Sequence, residues 1–319
     1  LLQETLVFRK LIIISQPLFD KDEDGYSGLL GGGDCDDTNP LIHPGASETP
    51  RNGIDDDCYG GDAPGDLPPK MIVPQVAASA KARDLVERPN IVLVTIDTLS
   101  ADHLGYHGYS RDTSPNIDKV AEGGIRFRWA FAQGPQTRVS IPSLFTGRYF
   151  SEVDRTNHLW TTIHPTNVLL AERLKEAGYH TAGIPCHEFF HSGYGLNQGF
   201  VEWDTSIIRK YKTRIPYVVT GHLVTERALA WLEKREKNWS PEQQPFFLWL
   251  HYFDPHFKYK RHPGIDFGKT DLDRYDAEIK YTDNQLGRVL KKLKSGPYGD
   301  NHYLILHSDH AEGFGLHDY

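Results

Sequence analysis

The sequence predicts an α/β protein with a mainly parallel sheet, preceded by a small acidic module that apolar burial alone cannot fold. Three observations carry this reading. Beyond residue 88, short apolar runs alternate with amphipathic stretches. Two of those runs, at 90–96 and 303–306, lead directly into Asp97 and Ser308-Asp309-His310. Residues 20–62, by contrast, are rich in Asp and Gly and poor in apolar side chains.

Residues 1–19 read as a tail. Its apolar stretch Leu11–Ile14 follows Arg9-Lys10 and soon meets Pro17, far short of the roughly 18 to 20 apolar residues of a membrane span. Residues 63–88 hold Pro64, Pro68, Pro69 and Pro74 around an alanine-rich piece and read as a linker. A larger domain then runs over 89–319. Within it the pattern predicts strands at 90–96, 125–131, 179–184, 245–252 and 302–308. Helices are predicted at 117–122, 167–177, 219–236 and 271–294, the last with Tyr275, Ile279, Leu286, Val289 and Leu293 on one face. The chain opens on Leu1, has Met71 as its one methionine and ends two residues after His317. A fragment cut at both ends is therefore expected, the large domain losing its C-terminal part and a signal peptide or membrane anchor lying upstream.

The net charge of -8 is local, because residues 1–66 hold 14 acidic and 4 basic side chains. No Lys/Arg-dense stripe exists to neutralise a run of phosphates, so nucleic acid is not an expected partner.

In the acidic block, Asp20, Asp22 and Asp24 before Gly25 have the spacing that wraps hard oxygen ligands around calcium. An EF-hand would need Glu at the twelfth position, where Gly31 stands. Further carboxylates are available from Asp34, Asp36, Asp37, Asp55 and Asp57, and a Cys35–Cys58 disulfide would hold these clusters together. The run Gly32-Gly33-Asp34-Cys35-Asp36-Asp37, with Asn52-Gly53-Ile54-Asp55-Asp56-Asp57-Cys58, resembles the metal-binding repeat of bacterial surface proteins. That resemblance implies calcium and an oxidising, extracytoplasmic setting. Cys186 is left over and reads as a small buried hydrophobe.

Ester hydrolysis needs a nucleophile, neutralisation of the non-bridging oxygens and a proton for the leaving oxygen. Asp97, Asp309 and His310 are candidate metal ligands, Thr137 or Ser140 the hydroxyl, and His251 or His256 the proton donor. All fall near predicted strand C-termini, where an open parallel sheet gathers its ligands. Residues 89–319 resemble the sulfatase-like family of the alkaline phosphatase superfamily. The resemblance rests on Pro89-Asn90-Ile91-Val92-Leu93-Val94 into Asp97, Ser114-Pro115-Asn116-Ile117-Asp118, Leu144-Phe145-Thr146-Gly147-Arg148, Gly178-Tyr179-His180-Thr181-Ala182, Asp254-Pro255-His256 and Ser308-Asp309-His310. It implies a three-layer α/β sandwich and one divalent metal (Ca, Mn or Zn) on Asp97, Asp309 and His310. It also implies a metal-bound nucleophile, a leaving-group histidine at His256 and a substrate-facing histidine at His317.

The departures are informative. Counting back from Thr146-Gly147 places Thr137 where the family carries the Cys or Ser that becomes formylglycine, and Ile141 where it carries Arg. Thr cannot be converted, so formylglycine is not expected. Thr98 stands where a second Asp is usual, and Lys258 where a proline is common. Hydrolysis of a sulfate ester on a small molecule, glycan or lipid is the leading reading. A phosphodiester or phosphonate hydrolase, or a phosphoethanolamine- or phosphoglycerol-type transferase using Thr137, is the alternative. A non-catalytic surface-binding protein is a third reading. His187-Glu188-Phe189-Phe190-His191 also matches the His-Glu-x-x-His zinc-protease motif, although Pro185, Gly193 and Gly195 leave little room for the helix it needs.

Overall fold

Four apolar runs of the larger domain and the two-residue strand Glu202–Trp203 pair into one sheet with all strands parallel. The computed structural model describes residues 19–29, 34–44, 46, 49, 51–56, 58, 88–127, 130–156, 161–237, 240, 244–299 and 301–314. The chain divides into two units with their own internal contacts, Leu1–Leu85 and Val86–Tyr319.

In the first unit, Asp20 folds the chain onto itself, its carboxylate accepting from the backbone N–H of Glu23 (2.8 Å) and Gly25 (3.0 Å). Gly25 takes φ 97, a conformation only glycine adopts freely. Tyr26 stacks on His43 at 5.1 Å, and Ser27, Asp34 and Ile42 are buried. The disulfide Cys35–Cys58, with Cα atoms 5.5 Å apart, supplements that small interior.

The second unit contains β1 (Asn90–Ile96), α1 (Pro115–Gly123), α2 (Thr137–Thr146), α3 (Leu170–Glu176), β2 (His180–Ile184), β3 (Glu202–Trp203), α4 (Ser206–Tyr211), α5 (Gly221–Lys237), β4 (Phe246–Tyr252), α6 (Asp271–Ser295) and β5 (His302–Ser308). The strand order is β3-β2-β4-β1-β5. Every residue of β4 is buried. Since alternate side chains of a strand point to opposite faces, the sheet is covered on both sides there. Trp249 shows the packing of that core, meeting Phe145, Phe190 and Trp203 at ring distances of 4.9, 5.0 and 5.7 Å. The long helix α6 starts at a reciprocal cap, Thr270 Oγ1 accepting from Asp273 N while Asp273 Oδ2 accepts from Thr270 N.

Four elements differ from the sequence reading, β3 and α4 being two that the apolar pattern does not predict. The run at 125–131 forms no strand among its described residues, and Ile125, Phe127 and Phe131 are 87, 75 and 80 % exposed. Its apolar pattern is that of a strand, but none of its described residues pairs with a sheet edge. Residues 137–146, where the pattern predicts no element, form a helix ended by Gly147 at φ 66. Pro142 and the Ser and Thr side chains that bond back to carbonyls hide this helix from a periodicity count.

Candidate active site

Register assembles the site. β1 and β5 pair in parallel with Ile96 opposite Ser308, so one more residue along each strand brings Asp97 beside Asp309. β1 and β4 pair with Ile96 opposite Tyr252, which sends Asp254 and His256 out of the same end. β2 and β4 pair with Ile184 opposite Leu250, which does the same for His187. Helix α2 supplies Thr137 as its first residue.

Asp97, Asp309 and His310 offer donor atoms within 4.8 Å of one another. Thr137 Oγ1 joins them, 3.3 Å from Asp97 Oδ2 and 3.4 Å from His310 Nε2. Ser140, the other hydroxyl candidate, instead donates to the carbonyls of Gly134 and Gln136. Asp97 Oδ1 and Asp309 Oδ2 are buried without a hydrogen-bond partner, an arrangement that a cation would satisfy. His310 donates from Nδ1 to the Ala311 carbonyl at 3.1 Å, which leaves the Nε2 lone pair facing the carboxylates. Two carboxylates and one imidazole fit a hard or borderline divalent ion. Burial raises the Asp97 pKa well above the ordinary carboxylate value, and the Asp309 charge raises it further.

The turn presenting Asp97 is held from behind. Thr98 sits at φ 57, in the left-handed region that β-branched residues avoid. Tyr275 OH donates to the Thr98 carbonyl (2.6 Å) and accepts from the Ser100 N–H (2.8 Å). Tyr275 was placed on the covering face of its helix by periodicity alone, and no sequence signal marked this second role.

The site opens into a cavity of about 1180 Å³ whose lining includes Asp102, Thr137, Arg138, His187, His256 and Glu312. Among the described lining residues Arg138 is the one Lys or Arg, and Lys258 is elsewhere, over the Tyr217 ring at 5.0 Å. His256 donates from Nδ1 to the Phe257 carbonyl at 2.6 Å, and burial lowers its pKa. His251, the other candidate proton donor, is fully buried with Nε2 3.8 Å from Asp97 Oδ2. His317 lies outside the described residues.

The zinc-protease reading of His187 and His191 does not hold. Residues Glu188–Phe190 form one 3-10 turn and Ser192–Tyr194 another, so no α-helix presents the two imidazoles together. Burial pushes the Cys186 thiol pKa up, in keeping with an inert core residue. In the acidic unit, the cluster contains Asp20, Asp22 and Asp24. Asp36 bonds Thr38, Asp55 is not part of the cluster, and Asp57 lies outside the described residues.

The family model for sulfatases matches residues 89–319. The chain belongs to the sulfatase family. The Cu-binding MopE metal-binding motif matches residues 34–63 of the acidic unit. Among curated relatives of this sulfatase-family chain, N-acetylgalactosamine-6-sulfatase of Canis lupus familiaris is 23% identical over 286 residues, covering 76% of the chain and 54% of the relative. The ulvan-active sulfatase of Formosa agariphila is 25% identical over 282 residues, covering 75% and 54%. The chain thus spans about half the length of these curated relatives. A solved alkaline phosphatase superfamily protein from Vibrio parahaemolyticus shares the fold at TM-score 0.57 and 23% identity, covering 72% of this chain and 56% of that one.

Proposed function

We propose that this chain carries the active site of a metal-dependent hydrolase of sulfate esters, with Thr137 as nucleophile. The observation that carries the reading is Thr137 Oγ1 at 3.3 Å from Asp97 Oδ2 and 3.4 Å from His310 Nε2, at the N-terminal end of α2. Asp97, Asp309 and His310 would hold the ion. When bound, a divalent cation polarises the ester oxygens and lowers the pKa of a neighbouring hydroxyl.

Thr137 Oγ1 gives its proton to Asp97 Oδ2 and attacks sulfur in line. The bond from sulfur to the leaving oxygen breaks as protonated His256 delivers a proton from Nε2 to that oxygen. Water then attacks the sulfur of the Thr137 sulfate while giving a proton to the now neutral His256 Nε2, and the Thr137 oxygen leaves and regains the proton held on Asp97 Oδ2. Arg138 and the positive end of the α2 dipole favour the anionic group at this spot. A sulfated glycan is the substrate class, supported by the sugar and polysaccharide named in the two curated relatives. Calcium in the acidic unit is supported by the unpartnered Oδ2 atoms of Asp22, Asp24 and Asp34. An extracytoplasmic location is supported by the Cys35–Cys58 disulfide. No helix among the described residues is long and apolar enough to cross a membrane.

One observation favours a second reading. Thr137 has no route to formylglycine, and a plain hydroxyl nucleophile suits phosphodiester cleavage or phosphoryl-group transfer. Side-by-side turnover of p-nitrophenyl sulfate, p-nitrophenyl phosphate and a bis-p-nitrophenyl phosphodiester, with Thr137→Ala as control, decides between them. Sulfate turnover falling at least about 1000-fold in Thr137→Ala is the expected result. Undiminished activity in that variant overturns the nucleophile. Turnover of phosphodiester alone transfers the assignment to the second reading, and turnover of none favours a binding protein.

A further inference from the structure

Lys258 stands where a proline is common in the family, so its charge is a feature of this chain and not of the shared catalytic machinery. We propose that Lys258, seated on the rings of Tyr217 and Phe257, forms an outer subsite for an anionic substituent, sulfate or carboxylate, on the sugar next to the one that reacts. This assignment rests on the ester-hydrolase reading.

The subsite lies at the mouth of the cleft. Phe257 lines the cavity that holds Thr137 and His256, and its carbonyl accepts from His256 Nδ1. Its ring is nonetheless 49% exposed, so it reaches from the cavity to the surface. Lys258, the next residue, is exposed and holds Nζ over the Tyr217 ring at 5.0 Å and over the Phe257 ring at 5.9 Å. Tyr217, 64% exposed, ends the 3-10 segment Lys212–Tyr217. That segment packs against the turn Glu188–Phe190, of which Phe189 also lines the cavity. Both rings therefore border the same opening.

The platform is held from beneath. Ile215 buries the middle of the Tyr217 segment, and Tyr259 meets Phe257 edge-on at 5.5 Å while packing on Tyr275 at 5.6 Å. Ring faces attract an ammonium yet leave its N–H donors for a ligand. Among the described residues no carboxylate lies within ion-pair distance of Lys258, Lys212 or Arg214. Lys212 and Arg214 are exposed on the Tyr217 segment, so this rim is positive on a chain whose net charge is -8. Three cations suit the few extra anions of a glycan, whereas a nucleic acid is held by about 6 to 10 phosphate contacts. The exposed Phe257 ring meets the apolar C–H face of the sugar, and Nζ gives its anionic substituent a charge-assisted bond.

The test is calorimetric titration of the whole chain, over a range of salt concentrations, with dextran sulfate oligosaccharides, carboxymethyl dextran, neutral dextran, inorganic sulfate and oligothymidylate. Lys258→Gln is expected to weaken dextran sulfate about five- to tenfold and inorganic sulfate less than about twofold. It should also lower the slope of log affinity against log salt by about one, a change that a purely structural role would not produce. Lys258→Arg should keep both affinity and slope. Tyr217→Ala, which removes the ring under the ammonium, should weaken dextran sulfate at least about threefold; where that variant fails to fold, the two Lys258 variants decide. A Lys258 effect shared by carboxymethyl dextran assigns the substituent as any anion, and one confined to dextran sulfate assigns it as sulfate. Equal losses for dextran sulfate and inorganic sulfate, an unchanged salt slope, no binding of either charged dextran by the wild type, or neutral dextran bound as tightly as the charged ones overturns the proposal. Oligothymidylate bound as tightly as dextran sulfate, with the same dependence on Lys258, replaces the glycan by nucleic acid. Turnover of p-nitrophenyl sulfate without Lys258-dependent dextran sulfate binding sinks this subsite and leaves the hydrolase. Lys258-dependent binding without turnover of any ester sinks the hydrolase and leaves a glycan-binding surface.

Discussion

His256 and His310 each donate from Nδ1 to the carbonyl of the next residue, Phe257 and Ala311, so both present Nε2 to the cleft. Their neighbours separate their roles. His310 Nε2 lies 3.4 Å from Asp97 Oδ1, whereas His256 lines the cavity with its ring stacked on Phe253 at 4.6 Å. A proton donor at His256 matters most when the leaving alkoxide is a strong base. His256→Asn is therefore expected to slow an alkyl sulfate by about 100-fold or more while sparing p-nitrophenyl sulfate, whose leaving group needs little help. Burial lowers the His256 pKa, so its acid form is lost as pH rises through a value below the usual histidine range. For the wild type, kcat/KM on the alkyl substrate should fall with rising pH through that acidic window, and the variant should lose this limb. Equal losses on both substrates would remove His256 from the proton step.

The turn after β1 shows how an element supports a ligand. Thr98 holds an unfavourable backbone conformation because Tyr275, on the distant helix α6, bonds both the Thr98 carbonyl and the Ser100 N–H. Tyr275→Phe would leave both groups buried and unpaired. A loss of about 1 to 3 kcal/mol is expected in urea denaturation, with weaker divalent-ion binding because Asp97 is no longer fixed. An unchanged midpoint and unchanged ion affinity would show that the turn holds itself. The sequence could place α6 from its apolar stripe, yet it could not show that a stripe residue reaches the turn, because that bond depends on tertiary packing. Four of the five strands were legible because their apolar runs are continuous, as in Phe246–Tyr252, whereas the two-residue strand Glu202–Trp203 carries no such run. Helix α2 was not, since Pro142 and back-bonding hydroxyls blur its period. The run at 125–131 misled for the converse reason, an apolar pattern whose described residues pair with no sheet edge.

For the whole second unit, the carboxylates that would hold the ion couple binding to stability. Asp97 and Asp309 were legible as a pair because a carboxylate follows each of two apolar runs, and parallel register then brings them together. What burial and that closeness do to the Asp97 carboxylate was not legible, since they arise only in the folded chain. The folded, metal-free chain holds a proton on Asp97 more tightly than the unfolded chain does. Its contribution to stability is full below the ordinary carboxylate pKa and is lost as pH rises towards the raised folded value. A divalent cation needs the deprotonated form and displaces that proton, so its affinity grows with pH. Adding Mn²⁺ should therefore raise Tm more at about pH 8 than at about pH 5. Asp97→Asn removes the buried charge, so its metal-free Tm at the higher pH should exceed that of the wild type while its response to Mn²⁺ shrinks. A Mn²⁺ shift of equal size at both pH values, or one retained in Asp97→Asn, would place the stabilising ion elsewhere. The aspartates of the first unit would then be the next residues to replace.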